Sequence, residues 1–208
     1  MRERAIRALA ASVDYLDEHM ADALAFGTQK ELLDHALTQV QTAGHFLEFG
    51  VFYGGTLRRI AKRMPHATIH GFDSFEGLPE AWSGFNLGHR ALSVKGQLPR
   101  VPRNVILHKG WFSDTIPAWC KAVSGPVAFL HIDCDLYSST VDIFRGLDDR
   151  LQPGTVILFD EYFNYPGWER HEFKAWQEYV RAQRVEYDYL GYARQQVLVR
   201  IRSIGAPQ

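Results

Sequence analysis

Apolar positions recur along the chain with two periods. Ile6, Leu9, Val13, Leu16 and Met20 fall three and four residues apart, which predicts an amphipathic helix over 3–20 with those residues on its apolar face. Thr28 and Glu31 form a capping-box pattern ahead of Leu32, Leu33, Ala36, Leu37 and Val40, predicting a second helix. Three roles are open to this pair: covering the sheet, covering a ligand mouth, or pairing with another subunit. From residue 45 onward, strand and helix patterns alternate. Strands are expected at 45–49, 68–73, 104–108, 127–133, 155–160, 185–190 and 195–201, and helices at 55–64, 114–122, 138–151 and 168–184. The runs VAFLHID and TVILFD are almost continuously apolar, as buried parallel strands are. The sequence LQPG stops the helix before 155. Only Gly191 to Arg194 separate the last two strands, a link short enough only for an antiparallel pair. The expected fold is α/β and Rossmann-like: a doubly wound, mostly parallel, seven-stranded sheet with a C-terminal antiparallel hairpin strand, preceded by N-terminal helices.

One stretch breaks the alternation. Residues 74–103 carry Gly77, Pro79, Gly84, Gly88, Gly96, Pro99 and Pro102 and no periodicity. A loop of this length is usually functional, and Trp82, Phe85 and His89 would give a lid an apolar inner surface. The alternative is a mobile excursion without a role. The organisation expected is one domain over 1–208, with a helical cap at 1–43 and a lid at 74–103.

The chemistry gathers at strand ends. Residues 46–56 read FLEFGVFYGGT. The strand carries Glu48, then Gly50, Gly54 and Gly55 permit a tight turn, and a helix begins near Thr56 with its free N–H groups facing that turn. The next strand ends at Asp73, placed to hold ribose hydroxyls. The spacing is not the G-x-G-x-x-G of pyrophosphate binding, and the phosphate-loop lysine is absent. Glu48 would repel a diphosphate and welcome an amino group. A ligand with an amino-acid end and an adenosine end fits, and S-adenosylmethionine is such a ligand. The competing reading is a glycine turn in an ordinary α/β domain.

Asp133 and Asp135 close the strand in HIDCDLYSST, and Asp160 and Glu161 close the strand in FDEY. If those strands are neighbours, their ends lie about 5 Å apart. Asp133, Asp160 and Glu161 then offer hard oxygen ligands for Mg²⁺; alternatively the acids cap the helices that follow. On an extended strand end Asp133 and Asp135 point the same way. Asp133, level with Asp160, would hold the ion, and Asp135 would reach past it to an acceptor hydroxyl. His131, inside a buried strand, reads as a hydrogen-bonded core residue, and Cys134 as a small strand-end residue rather than a nucleophile. No zinc-binding pattern and no G-x-S-x-G nucleophile elbow occur.

Totals narrow the partners. The 208 residues include 23 Lys+Arg and 24 Asp+Glu, for a formal net charge of -1. No basic block suggests nucleic acid, no apolar run approaches the ~20 residues of a membrane span, and no apolar signal segment opens the chain. Two cysteines suit a cytoplasmic protein with free thiols.

In order along the chain, LEFGVFYGGT, GFDSFEGLPE, KGWFSDTIP, HIDCDLYSST and ILFDEY resemble the macrocin O-methyltransferase family, which includes the mycinamicin and novobiocin sugar O-methyltransferases. The resemblance runs from about 46 to 165. It implies a class I methyltransferase fold with S-adenosylmethionine as methyl donor. It further implies that Glu48, Gly50, Gly54 and Thr56 surround the methionine part, with Phe49, Tyr53, Ser74 and Asp133 also counted on the cofactor side. Asp73 would take the ribose, and Gly110, Trp111 and Phe112 would border the adenine. Mg²⁺ would sit at Asp133, Asp160 and Glu161, with Asp135 as general base, in a homodimer. Two departures stand out. The family often has Asp-Asp where this chain has Asp160-Glu161, and this chain has less N-terminal sequence to build an acceptor pocket. The function expected is Mg²⁺-dependent O-methylation of a small-molecule hydroxyl on a sugar or secondary metabolite. A metal-independent N- or C-methyltransferase and a non-catalytic S-adenosylmethionine-binding protein are the alternatives.

Overall fold

A computed structural model describes residues 2–205; Met1 and 206–208, the ends of the expected 1–208 span, lie outside the described residues. The chain runs through helix α1 (Arg2–His19), strand β1 (Leu24–Ala25), α2 (Gln29–Thr38), β2 (His45–Phe49), α3 (Gly55–Arg63), β3 (Ile69–Asp73) and β4 (Val105–Lys109). It continues through α4 (Phe112–Ala122), β5 (Val127–Ile132), α5 (Tyr137–Leu147), β6 (Val156–Phe159), α6 (Glu172–Gln183), β7 (Val185–Ala193) and β8 (Gln196–Ile204). One sheet of eight strands has the order β1-β7-β8-β6-β5-β2-β3-β4. All neighbours are parallel except at β8, which runs against both β6 and β7. The expected architecture is therefore present, with one strand more than the pattern predicted. β1 is only two residues long and pairs with β7 through Leu24–Gly191 and Ala25–Tyr192, too short to leave a periodic signature. The hairpin strands are also longer than expected, so the turn between them is only Arg194 and Gln195.

Strand β6 shows how the layers form. Ile157 and Phe159 face a core completed by α4, α5 and α6, while Val156 and Leu158 face a core completed by α2 and α3. The side-chain period of two thus feeds two apolar layers at once. α2 begins as its capping box demands: the Thr28 hydroxyl accepts from Glu31 N at 3.2 Å, and Thr28 N donates to Glu31 Oε2 at 2.9 Å. Its Leu32, Leu33, Ala36 and Leu37 are buried.

α1 is a helix, but it turns a different face inward. Ile6, Leu9 and Val13 are 59%, 53% and 45% exposed, whereas Ala8, Ser12 and Met20 are buried. The reason is aromatic and polar packing rather than aliphatic periodicity. The Tyr15 ring meets Phe173 at 5.2 Å and Trp168 at 5.6 Å, and the Ser12 hydroxyl accepts from Asn164 N at 2.9 Å. Among the described residues no helix is long and apolar enough to cross a membrane.

The strand order reverses between β2 and β5. β2 continues to β3 and β4 on one side, and the chain then returns to place β5, β6, β8 and β7 on the other. Ligands of open parallel sheets bind in the crevice outside such a switch point. Segment 74–103 lies over this end. It contains no helix or extended strand, but Trp82 and Leu87 form an isolated antiparallel bridge. Trp82 is buried, with its ring near Phe85, Tyr165 and His171.

Candidate functional site

The turn after β2 is tied to both neighbouring strands. Gly50 N donates to Phe72 O at 3.0 Å, and Asp133 N donates to Phe49 O at 2.8 Å. Gly50 has φ of +94°, and a Cβ there would overlap the backbone carbonyl of Asp133. Only glycine both adopts this conformation and lets the two strand ends approach. Gly54, at φ of +72°, is the N-cap of α3. The acid ending β3 helps shape the same turn. Asp73 Oδ2 accepts from Val51 N and Phe52 N, both at 2.8 Å, and Oδ1 accepts from Phe75 N at 2.6 Å. A carboxylate oxygen has two lone pairs, so Oδ1 retains one acceptor position while Oδ2 is filled by the turn.

A cavity of about 410 Å³ opens beside this turn. Of the expected cofactor residues, Gly50, Asp73, Ser74, Trp111, Phe112 and Asp133 line it, and Asp135 lines it as well. The others lie outside its wall. Glu48 is buried, and its carboxylate lies 3.3 Å from His131 Nδ1 instead of facing a ligand. Phe49 is fully buried and stacks on Phe72 at 4.6 Å. Tyr53 is exposed, Gly54 and Thr56 belong to the start of α3, and Gly110 N is spent on Asp73 O at 3.0 Å. Leu78, Pro79 and Leu92 bring segment 74–103 to the cavity, and the Ser138 hydroxyl donates to Glu80 Oε1 at 2.6 Å. His89 is exposed.

The four acids do converge. Ile132 and Phe159 are register partners, and Asp160 N donates to Ile132 O at 2.8 Å, which sets Asp133 opposite Asp160. Ligand atoms of His131, Asp133 and Asp160 lie within 4.8 Å of one another, as do those of Asp133, Asp135 and Glu161. Asp133 is common to both groups, so the expected trio of Asp133, Asp160 and Glu161 is divided between them. The premise of an extended strand end also fails. Asp135 has φ of +68°, because the chain turns sharply there into α5; the cavity nevertheless receives both Asp133 and Asp135.

Crowding sets the electrostatics. Burial, then the charge of Asp160, pushes the Asp133 carboxyl well above the usual range and brings Asp135 up to about 7. Glu161 is raised well above its ordinary value by the same two causes. Asp160 is the exception: burial would raise it, but His131, Glu161 and Gln196 together outweigh burial and lower it. His131 Nε2 is 3.7 Å from Asp160 Oδ1, a charge contact rather than a hydrogen bond. His131 is thus the core residue expected, and also the cation that holds Asp160 ionised. Gln196 Nε2 donates to the same Asp160 Oδ1. The buried Glu161 Oε2 has no hydrogen-bond partner in the protein. An unpartnered buried acceptor facing a cluster of hard oxygen donors fits a divalent cation.

Sequence reasoning missed Glu172 and Gln196. Glu172 is fully buried, and burial with the charges of Asp160 and Asp135 pushes it up to about 8. An acid in the first turn of a helix reads as a dipole partner, so nothing in the pattern distinguishes it. Gln196 comes from the reversed strand and carries no motif.

A family model described as a methyltransferase domain matches residues 47–162. The chain is 31% identical over 141 residues to an 8-demethyl-8-(2,3-dimethoxy-alpha-L-rhamnosyl)-tetracenomycin-C 4'-O-methyltransferase of Streptomyces olivaceus, covering 57% of this chain and 53% of that protein. It is 29% identical over 145 residues to a demethyldecarbamoylnovobiocin O-methyltransferase of Streptomyces niveus, covering 59% and 54%. The matches span about half the length of these relatives. Among solved structures, a calicheamicin methyltransferase aligns with a TM-score of 0.69 at 21% identity over 95% of this chain and 90% of that one. The O-methyltransferase NovP aligns at 0.64 and 23% identity, covering 84% and 79%. These two likenesses establish the fold.

Proposed function

The chain belongs to the methyltransferase-domain family, and from that premise we propose that it transfers a methyl group from S-adenosylmethionine to a hydroxyl of a small glycosidic molecule. The observation that carries this reading is the contact between Gly50 and the Asp133 carbonyl. It brings the ligand turn together with Asp133 and Asp135 on one cavity wall, with Asp160 and Glu161 behind that wall, so an acceptor oxygen at Asp133 and Asp135 is beside a cofactor at the turn. The relatives' names add that those proteins are O-methyltransferases, one of them named for a rhamnosyl-tetracenomycin.

S-adenosylmethionine, when bound, supplies an electrophilic methyl on a sulfonium. A divalent cation at Asp133, held together with Asp160 or with Glu161, would make a nearby hydroxyl more acidic. The chain's own residues do the remainder. The glycine turn and Asp73 orient the donor, with Asp73 Oδ1 free to accept one ribose hydroxyl. Trp111 and Phe112 offer apolar surface to the base. Asp135, on the cavity wall beside Asp133, is placed to take the acceptor proton. The proton goes to its carboxylate as the O–CH₃ bond forms and the S–CH₃ bond breaks. Positioning of oxygen and methyl in line supplies much of the rate. Segment 74–103, with Leu78, Pro79 and Leu92 on the cavity, acts as a lid that orders over the filled site. The exposed Ile6, Leu9 and Val13 stripe of α1 supports a homodimer.

A second reading is favoured by Asp160, whose charge His131 and Gln196 already satisfy: the acids are structural and methyl transfer needs no metal. Calorimetry with S-adenosylmethionine, with and without Mg²⁺, separates the two, followed by turnover against glycosides, catechols and N-nucleophiles. Micromolar binding of the donor is expected, weakened about tenfold in Asp73→Ala, the loss of roughly one charge-assisted hydrogen bond. Binding of NAD in place of the donor removes the whole reading. Unaltered turnover in chelator removes the metal.

A further inference from the structure

Beyond the rungs of the sheet, a side chain takes over the role of a strand. The last ladder amides of β5 and β6 are accounted for: Asp133 N donates to Phe49 O, and Asp160 N to Ile132 O. The next amides belong to the two turns that carry the acids. There Glu172 Oε1 accepts from Cys134 N at 3.4 Å and Asp135 N at 3.3 Å, and Glu172 Oε2 accepts from Glu161 N at 3.1 Å. One carboxylate therefore spans both turns, one oxygen to each. It comes from the start of α6, outside either strand, and is fully buried.

The placement is electrostatically costly, because Glu172 stands among Asp135, Asp160 and Glu161. A buried carboxylate among other carboxylates persists where its hydrogen bonds are specific. In its ionised form a carboxylate of this length offers acceptors on two oxygens and no donor. A glutamine would turn an NH₂ group toward one set of N–H donors. The turn it restrains includes Asp135 at φ of +68°, a conformation that surrounding contacts must hold.

We propose that Glu172 is a positioning residue: by accepting three backbone amides it fixes the separation of the Asp133–Asp135 turn from the Asp160–Glu161 turn, and so sets both the cation affinity of the cluster and the aim of Asp135. This rests on the reading of the site given above. Residues that orient metal ligands typically alter affinity 10–100-fold when replaced.

The test uses the full-length protein and the Glu172→Gln and Glu172→Asp variants. Mn²⁺ binding is followed by electron paramagnetic resonance, S-adenosylmethionine binding by calorimetry, and amide exchange over 133–136 and 160–162 by mass spectrometry. Steady-state kinetics completes the set. In Glu172→Gln the Mn²⁺ Kd is expected to rise about 10–100-fold with a comparable fall in kcat. Exchange should quicken in both turns, and the KM for S-adenosylmethionine should stay within about threefold. Should Glu172→Gln not fold, Glu172→Asp keeps both acceptors on a shorter arm and is expected to lose exchange protection in one turn. Unchanged exchange in both turns of a folded variant overturns the brace. Wild-type protein that binds neither Mn²⁺ nor the methyl donor overturns the reading of the site instead, a result that the exchange measurement, made without ligand, keeps distinct.

Discussion

The two halves of the candidate site are built by opposite means. At the turn after β2, backbone makes the site: glycine conformation, the free amides of a helix start, and one acid, Asp73, whose oxygens accept turn amides. At the turns after β5 and β6, side chains make it, and the backbone amides are held by a carboxylate from elsewhere, Glu172. The difference lies in where tolerance resides. A backbone-built half fails when the chain cannot follow its path. A side-chain-built half keeps its path and loses its chemistry.

The sharpest way to break this contrast is Gly50→Ala. The added methyl would overlap the Asp133 carbonyl at a φ that alanine rarely adopts, so both strand ends must shift. A loss of roughly 3 kcal/mol or more in unfolding free energy is expected, the sum of strain and overpacking, together with loss of cofactor binding. Urea denaturation and calorimetry report both. A variant of wild-type stability would show that the glycine half is as forgiving as the acidic half.

Asp135→Asn is the counterpart. Stability and S-adenosylmethionine affinity should change little, while turnover falls by roughly 10²–10⁴-fold, the range for a lost general base. Loss of donor affinity in this variant would mean that the two halves are not separable.

A smaller effect belongs to the backbone half alone. His70, on the strand that ends in Asp73, lies 3.0 Å from His108. Burial, then the charges of His108 and His45, lowers its value from 6.5 to about 4. The folded protein keeps this imidazole neutral where the unfolded chain would protonate it. Its contribution to stability is therefore intact above about pH 6.5 and is lost as pH falls toward about 4. Wild-type urea midpoints should drop more steeply across that window than those of His70→Gln. Parallel curves would assign the acid sensitivity to other groups.

The sequence made one half more legible than the other for the same physical reason. Glycines at 50 and 54 and a strand-end acid at 73 are local signals, because backbone conformation is decided by neighbours in the chain. That Asp133 and Asp160 would stand side by side depended on two apolar runs being neighbouring strands, and the pairing of Ile132 with Phe159 makes them so. What escaped was non-local: Gln196 reaching Asp160 from the reversed strand, Glu172 bracing two turns, and His131 dividing the acids into two groups. The same limit explains α1. Its aliphatic spacing identified a helix, but the inward face was chosen by Tyr15 and Ser12 meeting partners about 150 residues away. Asp135 was placed on the correct side for the wrong reason, since a left-handed turn rather than strand pleating aims it.

The short edge strand carries a consequence for how this molecule assembles. Leu24 and Ala25 pair with Gly191 and Tyr192, so nearly the whole chain must be made before the sheet's outer boundary closes. Contacts of such high sequence separation form slowly. During synthesis the first helix must wait, its aromatic docking site on α6 and its flanks not yet present, with Ile6, Leu9 and Val13 already displayed to water. That interval is when a chaperone would find the nascent chain most readily.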